Sequence, residues 1–460
     1  MSNSKNISEL FKSELSGHST IGILGFGREG RSTYKTIRAH LPNQQLIVAD
    51  KNANVFLNHE VSEDQNSKLM SGENYMNCFQ HCSLLFVTPG ISLFHVKIPI
   101  NVKITSQTDF LFKNFGHKII AVTGTKGKST TSSLIAHMLE TQFDKVPLAG
   151  NIGIPPFDVM ERLESSPVAV FEVSSHQLQY ISAAPKVSIL LNLYPEHLDY
   201  YPDVEKYYNA KRNIFKFVKP DDCVILNNDE PEVMKSADGL KCNILNYSLK
   251  PHSHHGAWFD KGSLFFHKDQ VLKIADDKDL TISGIHNISN CLAAICACDC
   301  FDISAENMHK GLSTFQGLPH RMEKVETPSG IICYNDSIAT IPEATLAAIE
   351  ALKPVASLIL GGMDRGIDYD VLFEKLVQSD VDGIFCYGVV GKRMFDSLKN
   401  KHSKKTIQYH ADFKQCTISA LKNTPKGGIC LLSPAASSYD QFKNFEERGE
   451  VFRSIAKSWE

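Results

Sequence analysis

The chain has 460 residues, more than one hydrophobic core supports, and at roughly 150 residues per domain it divides into about three. Hydrophobic residues make up 42% and charged residues 22%, a balance that excludes a disordered or fibrous chain. The net charge of -3 leaves no broad basic field for nucleic acid, so anionic ligands must be gripped by local groups.

Residues 1–17 are polar and of mixed charge, and no apolar run reaches the length of a membrane span or a signal-peptide core, so a cytoplasmic location is expected. A βαβ pattern follows. A strand at Ile21 to Leu24 runs into Gly25-Phe-Gly-Arg-Glu-Gly30, a helix continues to about Ala39, and a second strand ends at Asp50. G-x-G-x-x-G with an acid twenty residues beyond its third glycine is the spacing of a dinucleotide-binding fingerprint. Taken alone, Gly25, Gly27, Gly30 and Asp50 suggest an NAD-dependent oxidoreductase.

A second α/β unit opens at Ile119 and runs through Gly124-Thr-Lys-Gly-Lys-Ser-Thr130 into a segment with Leu134, Ile135, Met138 and Leu139 at helical spacing. This is a phosphate-binding loop. Its glycines let backbone N–H groups approach phosphate oxygens, Lys128 adds a charge at the β- and γ-phosphates, Ser129 offers a hydroxyl to Mg²⁺, and the helix presents its positive end. Val122 stands where the common pattern has its first glycine, so the loop signals a nucleoside triphosphate outside the ordinary P-loop enzymes.

Beyond it, the strand Val168 to Glu172 places a carboxylate at the ligand-binding edge of a parallel sheet, a candidate magnesium ligand. A further strand, Val187 to Asn192, leads to His197, a candidate for metal or phosphate. The segment 206–212 is helix-like, and its Lys211 reads as a solvated charge. The third α/β unit starts near Leu318, with strands expected at Ile331 to Tyr334, Ser357 to Leu360, Gly383 to Tyr387 and Gly428 to Leu432, and a helix over Pro342 to Leu352. Three domains are expected: 1–111, 112–317 and 318–460. The 12 cysteines are scattered in apolar segments, as buried thiols are; Cys296 and Cys300 share a helix face from which Cys298 turns away, which argues against zinc.

Gly124 to Thr130, Gly150-Asn-Ile-Gly153, Glu172-Val-Ser-Ser175, His197-Leu-Asp199, Lys211, His286-Asn-Ile-Ser-Asn290, Gly317-Leu-Pro-His-Arg321, Asn335-Asp-Ser337 and Gly361-Gly362 resemble, in order and spacing, the Mur ligases of peptidoglycan synthesis. The match spans nearly the whole chain. The tail Leu432 to Gly449 is similar to the branch that adds glutamate to UDP-N-acetylmuramoyl-L-alanine.

The resemblance implies an α/β fold of three domains: an amino-terminal Rossmann-like domain holding UDP rather than NAD, a central ATP-binding domain, and a carboxy-terminal Rossmann-like domain. It implies ATP and Mg²⁺, with peptide-bond formation through an acyl phosphate. Arg28, Glu29, Asp50 and Thr88 would hold the UDP portion; Asn151, Ser174 and Gln177 the muramoyl-alanine end. Gly124, Thr125, Lys126, Gly127, Lys128, Ser129 and Thr130 would cradle ATP, with Asn287 and Asn290 at the adenine and Arg321 and Asp336 contributed by the last domain. Ser129 and Glu172 would serve one Mg²⁺, and His197 with a carbamylated Lys211 a second. Thr340, Arg365, Ser438, Tyr439 and Phe445 would surround glutamate. One departure concerns the amino acid: the family often reads Asn-Asp-Ser-Lys-Ala-Thr-Asn, whereas this chain has Ile338 in place of the lysine. D-glutamate is expected from the resemblance, with L-glutamate as the alternative.

Overall fold

The computed structural model describes residues 6–57, 59–198, 200–282, 284–400 and 405–460. They form two compact units, one ending at Phe315 and one beginning at Gln316. The fold is mixed α/β with mainly parallel sheets.

The first unit contains two sheets. The five-stranded one is wholly parallel, with Thr20–Leu24 at its centre between Gln45–Asp50 and Leu84–Val87. All four residues of Leu84–Val87 are buried, as expected of a strand covered on both faces. The larger sheet has nine strands. Its parallel part runs inward from one edge in the order Leu148–Gly150, Ala169–Glu172, Ile119–Thr123, Val187–Leu190 and Cys223–Asn227. Two antiparallel strands, Ser263–His267 and Val271–Asp276, extend its far edge through a hairpin that hydrophobic periodicity did not reveal.

The two sheets share one apolar cluster. Phe157, from the connection after Leu148–Gly150, sets its ring against Phe11, Phe86 and Phe110 at centroid distances of 5.4, 6.1 and 5.3 Å. Buried Gln107 completes the joint: its Oε1 accepts from Phe157 N–H at 3.0 Å, and its Nε2 donates to the hydroxyls of Ser32 and Thr33. Such a polar group is tolerated in an interior because its hydrogen bonds are made.

The second unit has six strands, five of them parallel, in the order Glu323–Glu326, Ile332–Asn335, Ile429–Leu432, Val355–Gly361, Val381–Tyr387 and Thr406–His410. The expected strands are all present to within two residues, and the helix Pro342–Leu352 begins at its proline, whose fixed φ suits a first turn.

All 12 cysteines are free, and ten are buried. Burial pushes the thiols of Cys291 and Cys386 up to about 12, where they carry no charge at neutral pH. No helix among the described residues is long and apolar enough to cross a membrane.

Candidate active site

In each sheet the candidate residues leave the carboxyl ends of three neighbouring strands, where open parallel sheets leave a crevice for ligands. The phosphate loop follows Ile119–Thr123; Glu172 ends one neighbouring strand, and the 191–198 segment leaves the other. The loop is clamped by a residue the sequence reading did not single out. Asn192 accepts from Thr125 N–H through its carbonyl at 3.0 Å and from Lys126 N–H through its side chain at 2.8 Å, and its Nδ2 donates to Lys126 O at 3.1 Å. The Thr125 hydroxyl accepts from Tyr194 N–H at 3.0 Å and lies 3.1 Å from the Tyr207 hydroxyl. Lys126 pairs with Glu196 on the surface.

Gly127 has φ +84° and ends the loop at the helix Lys128–Leu139. A Cβ there would lie 2.6 Å from Asn290 Oδ1, so the position excludes any larger residue on both counts. Asn290 also takes the Thr131 hydroxyl at 3.1 Å and donates to Asn287 at 3.2 Å, which joins the helix Ile285–Asp299 to the phosphate-loop helix. Ser129 and Thr130 occupy the first turn of that helix.

Lys128 folds back so that its ammonium donates to the carbonyls of Gly124 and Thr125, each at 3.0 Å. Lys211 donates to the same Gly124 carbonyl at 2.8 Å and lies 4.9 Å over the Tyr207 ring. Its solvated reading is wrong: only 2% of it is exposed. Residues on helix Val204–Arg212 alternate by face, but which face meets the loop is set by tertiary packing. Burial, with the Lys128 charge beside it, lowers the Lys211 pKa well below that of an ordinary lysine.

Glu172 is 1% exposed. Its Oε1 accepts from Asn151 Nδ2 at 2.6 Å, while Oε2 is buried with no hydrogen-bond partner. A buried carboxylate oxygen left so is costly unless a cation meets it. Among the described residues no trio of His, Cys, Asp or Glu could hold a metal alone. A cation at Glu172 therefore needs oxygen donors of other kinds, which Ser129, phosphate or a modified lysine could give. The chain after Glu172 makes a turn in which Ser174 and Gln177 bond each other, Ser174 N–H to Gln177 Oε1 at 3.0 Å. His197 has φ +58°, unusual for a residue with a side chain, and its ring packs edge-on to His176 and Tyr207.

Around the first sheet, Asp50 accepts from Phe26 N–H at 2.7 Å and from Asn52 N–H at 2.9 Å. The Thr88 hydroxyl donates to Leu24 O at 3.1 Å, beside the Gly25 turn. Arg28 reaches across to donate to Gly153 O at 2.7 Å, and half-buried Glu29, pushed up to about 7 by burial, bonds Gln177.

In the second unit, Asp336, Thr340, Arg365, Ser438, Tyr439 and Phe445 lie on segments that leave three adjacent strands. Ser438 is buried; Arg365 and Tyr439 are exposed. Arg448, another residue the sequence reading passed over, is fully buried and donates to Ser337 Oγ and O, the Tyr387 hydroxyl and Ala436 O. It ties the 337, 387 and 436 segments into one support.

Buried Asp336 accepts from Ser433 Oγ and Met322 N–H, yet burial pushes its carboxyl up to about 6. The native state therefore holds a proton between about pH 4 and 6 that the unfolded chain has released. Stability falls as pH rises through that window, by at most roughly 3 kcal/mol at 1.4 kcal/mol per pKa unit. Hydrogen exchange of the Ile332–Asn335 amides should show this loss in the parent and a flatter profile in Asp336→Asn; parallel profiles would dismiss the assignment.

Similarity to known proteins agrees with this geometry. Residues 122–298 match the Mur ligase middle domain, and residues 320–436 match the Mur ligase glutamate ligase domain. The UDP-N-acetylmuramoylalanine--D-glutamate ligase of Clostridium kluyveri is 34% identical over 405 residues, which cover 85% of this chain and 86% of that protein. The chain belongs to the Mur ligase family. The enzyme of the same description from Acetivibrio thermocellus is also 34% identical over 85% of this Mur ligase and 86% of its own length. The fold is shared with MurF of Acinetobacter baumannii at a TM-score of 0.58 and 18% identity, over 76% of this chain and 79% of that one. MurC of Thermotoga maritima gives 0.56 at 18% identity over 95% and 98%.

The oxidoreductase alternative falls here. The relatives are ligases.

Proposed function

We propose that this Mur ligase is a cytoplasmic, ATP-dependent enzyme that joins D-glutamate to UDP-N-acetylmuramoyl-L-alanine, releasing ADP and phosphate, in peptidoglycan precursor synthesis. The observation that carries the chemistry is the group formed by the phosphate loop, the orphaned Glu172 oxygen and buried Lys211. The names of the relatives point to the substrates. Domains of 1–111, 112–317 and 318–460 would divide the labour: a Rossmann-like domain for UDP, a P-loop domain for ATP and a Rossmann-like domain for glutamate.

A free carboxylate is a poor acyl donor. The alanine carboxylate oxygen therefore attacks the γ-phosphorus, the bond to the β,γ-bridging oxygen breaks, and ADP leaves. The glutamate amine then adds to the acyl phosphate carbon, loses a proton, and expels phosphate. Lys128 exchanges its two loop carbonyls for phosphate oxygens and neutralises charge gathering on the leaving ADP. Loop N–H groups from Gly124 to Thr130 hold the phosphates, and Asn287 and Asn290 meet the adenine. Arg321 and Asp336 complete the nucleotide contacts. Arg28, Glu29, Asp50 and Thr88 hold the UDP portion, and Asn151, Ser174 and Gln177 orient the alanine carboxylate.

Ser129, Glu172, His197 and Lys211 would hold Mg²⁺. When bound, the metal shields phosphate charge and polarises the transferred phosphoryl group. Lys211 suits this only after modification. Its lowered pKa favours the neutral amine, whose nitrogen can add to CO₂ with loss of a proton, and the resulting carbamate presents oxygens of the kind Mg²⁺ prefers.

Glutamate would lie among Thr340, Arg365, Ser438, Tyr439 and Phe445, with the planar fork of Arg365 gripping a carboxylate. Ile338 removes a cation that relatives of this pattern often place there, which keeps L-glutamate as the second reading. The test is ADP release with ATP, Mg²⁺, UDP-N-acetylmuramoyl-L-alanine and each glutamate enantiomer. Turnover with the D form is expected. Turnover confined to the L form would reassign the amino acid, and none with either would end the ligase reading.

A further inference from the structure

Arg365 is exposed, on the stretch that joins strand Val355–Gly361 to helix Asp370–Gln378. Of the residues proposed around glutamate it alone carries a positive charge, and Ile338 supplies none. A guanidinium grips a carboxylate through two parallel bonds only when its plane is held, so the backbone beneath Arg365 has to be fixed.

Both ends of the stretch are fastened. Gly361 N–H donates to Pro434 O at 2.9 Å and Met363 N–H to Ser437 O at 2.8 Å, one residue before Ser438, while Tyr369 at the other end is buried. Between them Asp364 Oδ1 accepts from Gly366 N–H at 2.9 Å, and Gly366 has φ +71°, so a tight turn carries Arg365 at its apex. These bonds shape the turn but do not aim it.

Arg393 does. Helix Gly388–Asn400 presents Val390 and Arg393, three positions apart, on one face, and Val390 N–H donates to Gly362 O at 3.0 Å, which lays that face along the stretch. Arg393 Nη2 donates to Ile367 O at 2.9 Å and lies 3.2 Å from Asp364 Oδ1, the same oxygen that closes the Gly366 turn. Its guanidinium sits 5.3 Å over the Tyr369 ring. One planar group thus holds residues on both sides of Arg365. Arg393 is 45% exposed, so its ion pair with Asp364 would contribute little alone; the carbonyl bond, the ion pair and the ring contact act together because one rigid fork makes all three.

We propose that Arg393 is a positioning residue of the glutamate site, presetting the 364–367 turn so that Arg365 meets a carboxylate of the incoming amino acid already ordered. This rests on the ligase reading. Arg393 itself touches no substrate, and its whole effect passes through Arg365. Because the turn is ordered during folding, losing Arg393 weakens glutamate binding more than it slows the chemistry.

Steady-state ADP release by the whole chain, with the glutamate enantiomer the parent uses, tests this in a cycle of Arg393→Ala, Arg365→Ala and the double variant. Hydrogen exchange across residues 364–369, without ligand, accompanies it. Arg393→Ala should raise the KM for glutamate about tenfold, with kcat falling far less and the KM for ATP unchanged, and exchange across the turn should quicken. Added to Arg365→Ala, the same substitution should change kcat/KM for glutamate by less than about twofold, since the group it positions is gone. Full additivity would give Arg393 another route of action and overturn the inference. An unchanged glutamate KM in Arg393→Ala, or unchanged exchange, overturns it as well. If the alanine variant does not fold, Arg393→Lys, which keeps the charge and loses the planar fork, replaces it in the same cycle with the same outcomes. These failures leave the ligase reading intact. Absence of turnover by the parent with either enantiomer removes that reading, and this inference with it.

Discussion

Lys128→Ala is expected to lower kcat by about 10²–10³-fold, the scale measured when a preorganised charge-stabilising group is removed from a transition state. The fold should be untouched. Lys128 donates to loop carbonyls, and the loop shape is set by Asn192 and Thr125, which the substitution leaves in place. Steady-state ADP release measured beside thermal unfolding separates the two effects. Unchanged turnover would withdraw the role given to Lys128; a loss accompanied by lowered thermal stability would move that role from chemistry to loop structure.

Lys211→Ala is expected to cost about 10²-fold or more in turnover, because it removes the oxygen donor that a carbamate would supply at the centre of charge transfer. Short carboxylic acids such as acetate or formate should restore part of the activity, since they can place a carboxylate in the space vacated beside the Gly124 carbonyl. An amine acting as a plain structural contact predicts loss without rescue. Full activity in Lys211→Ala would reject the carbamate altogether. The location of this side chain favours the modified form, since burial that destabilises an ammonium keeps the nitrogen nucleophilic.

Much of this arrangement was legible in sequence because it is written in local terms. Glycine turns between apolar runs fixed the Gly25 and Gly124 loops, and the proline at 342 marked a helix start that agrees to the residue. Ordered motifs gave the family, which the relatives bear out. What escaped depends on contacts between distant segments. Lys211 looks solvated until its helix is laid against the phosphate loop, 87 positions away. Arg448 looked like one charge among several in the tail, and only the fold brings Ser337, Tyr387 and Ala436 around it. Asn192 left a weak trace, an amide at the end of an apolar strand. Its value as a clamp comes from the neighbouring strand, which local patterning does not identify.

The clamp at Asn192 has a thermodynamic corollary. Ordering a backbone residue costs about 1–2 kcal/mol, and a glycine-rich loop is where that entropy is greatest. Here Thr125 and Lys126 are already fastened to the 192–194 segment, and Gly127 is lodged against Asn290. The immobilisation is completed during folding, so little of it is left to oppose nucleotide capture. Substitutions that loosen Asn192 would then weaken nucleotide affinity through entropy while leaving every phosphate contact chemically intact.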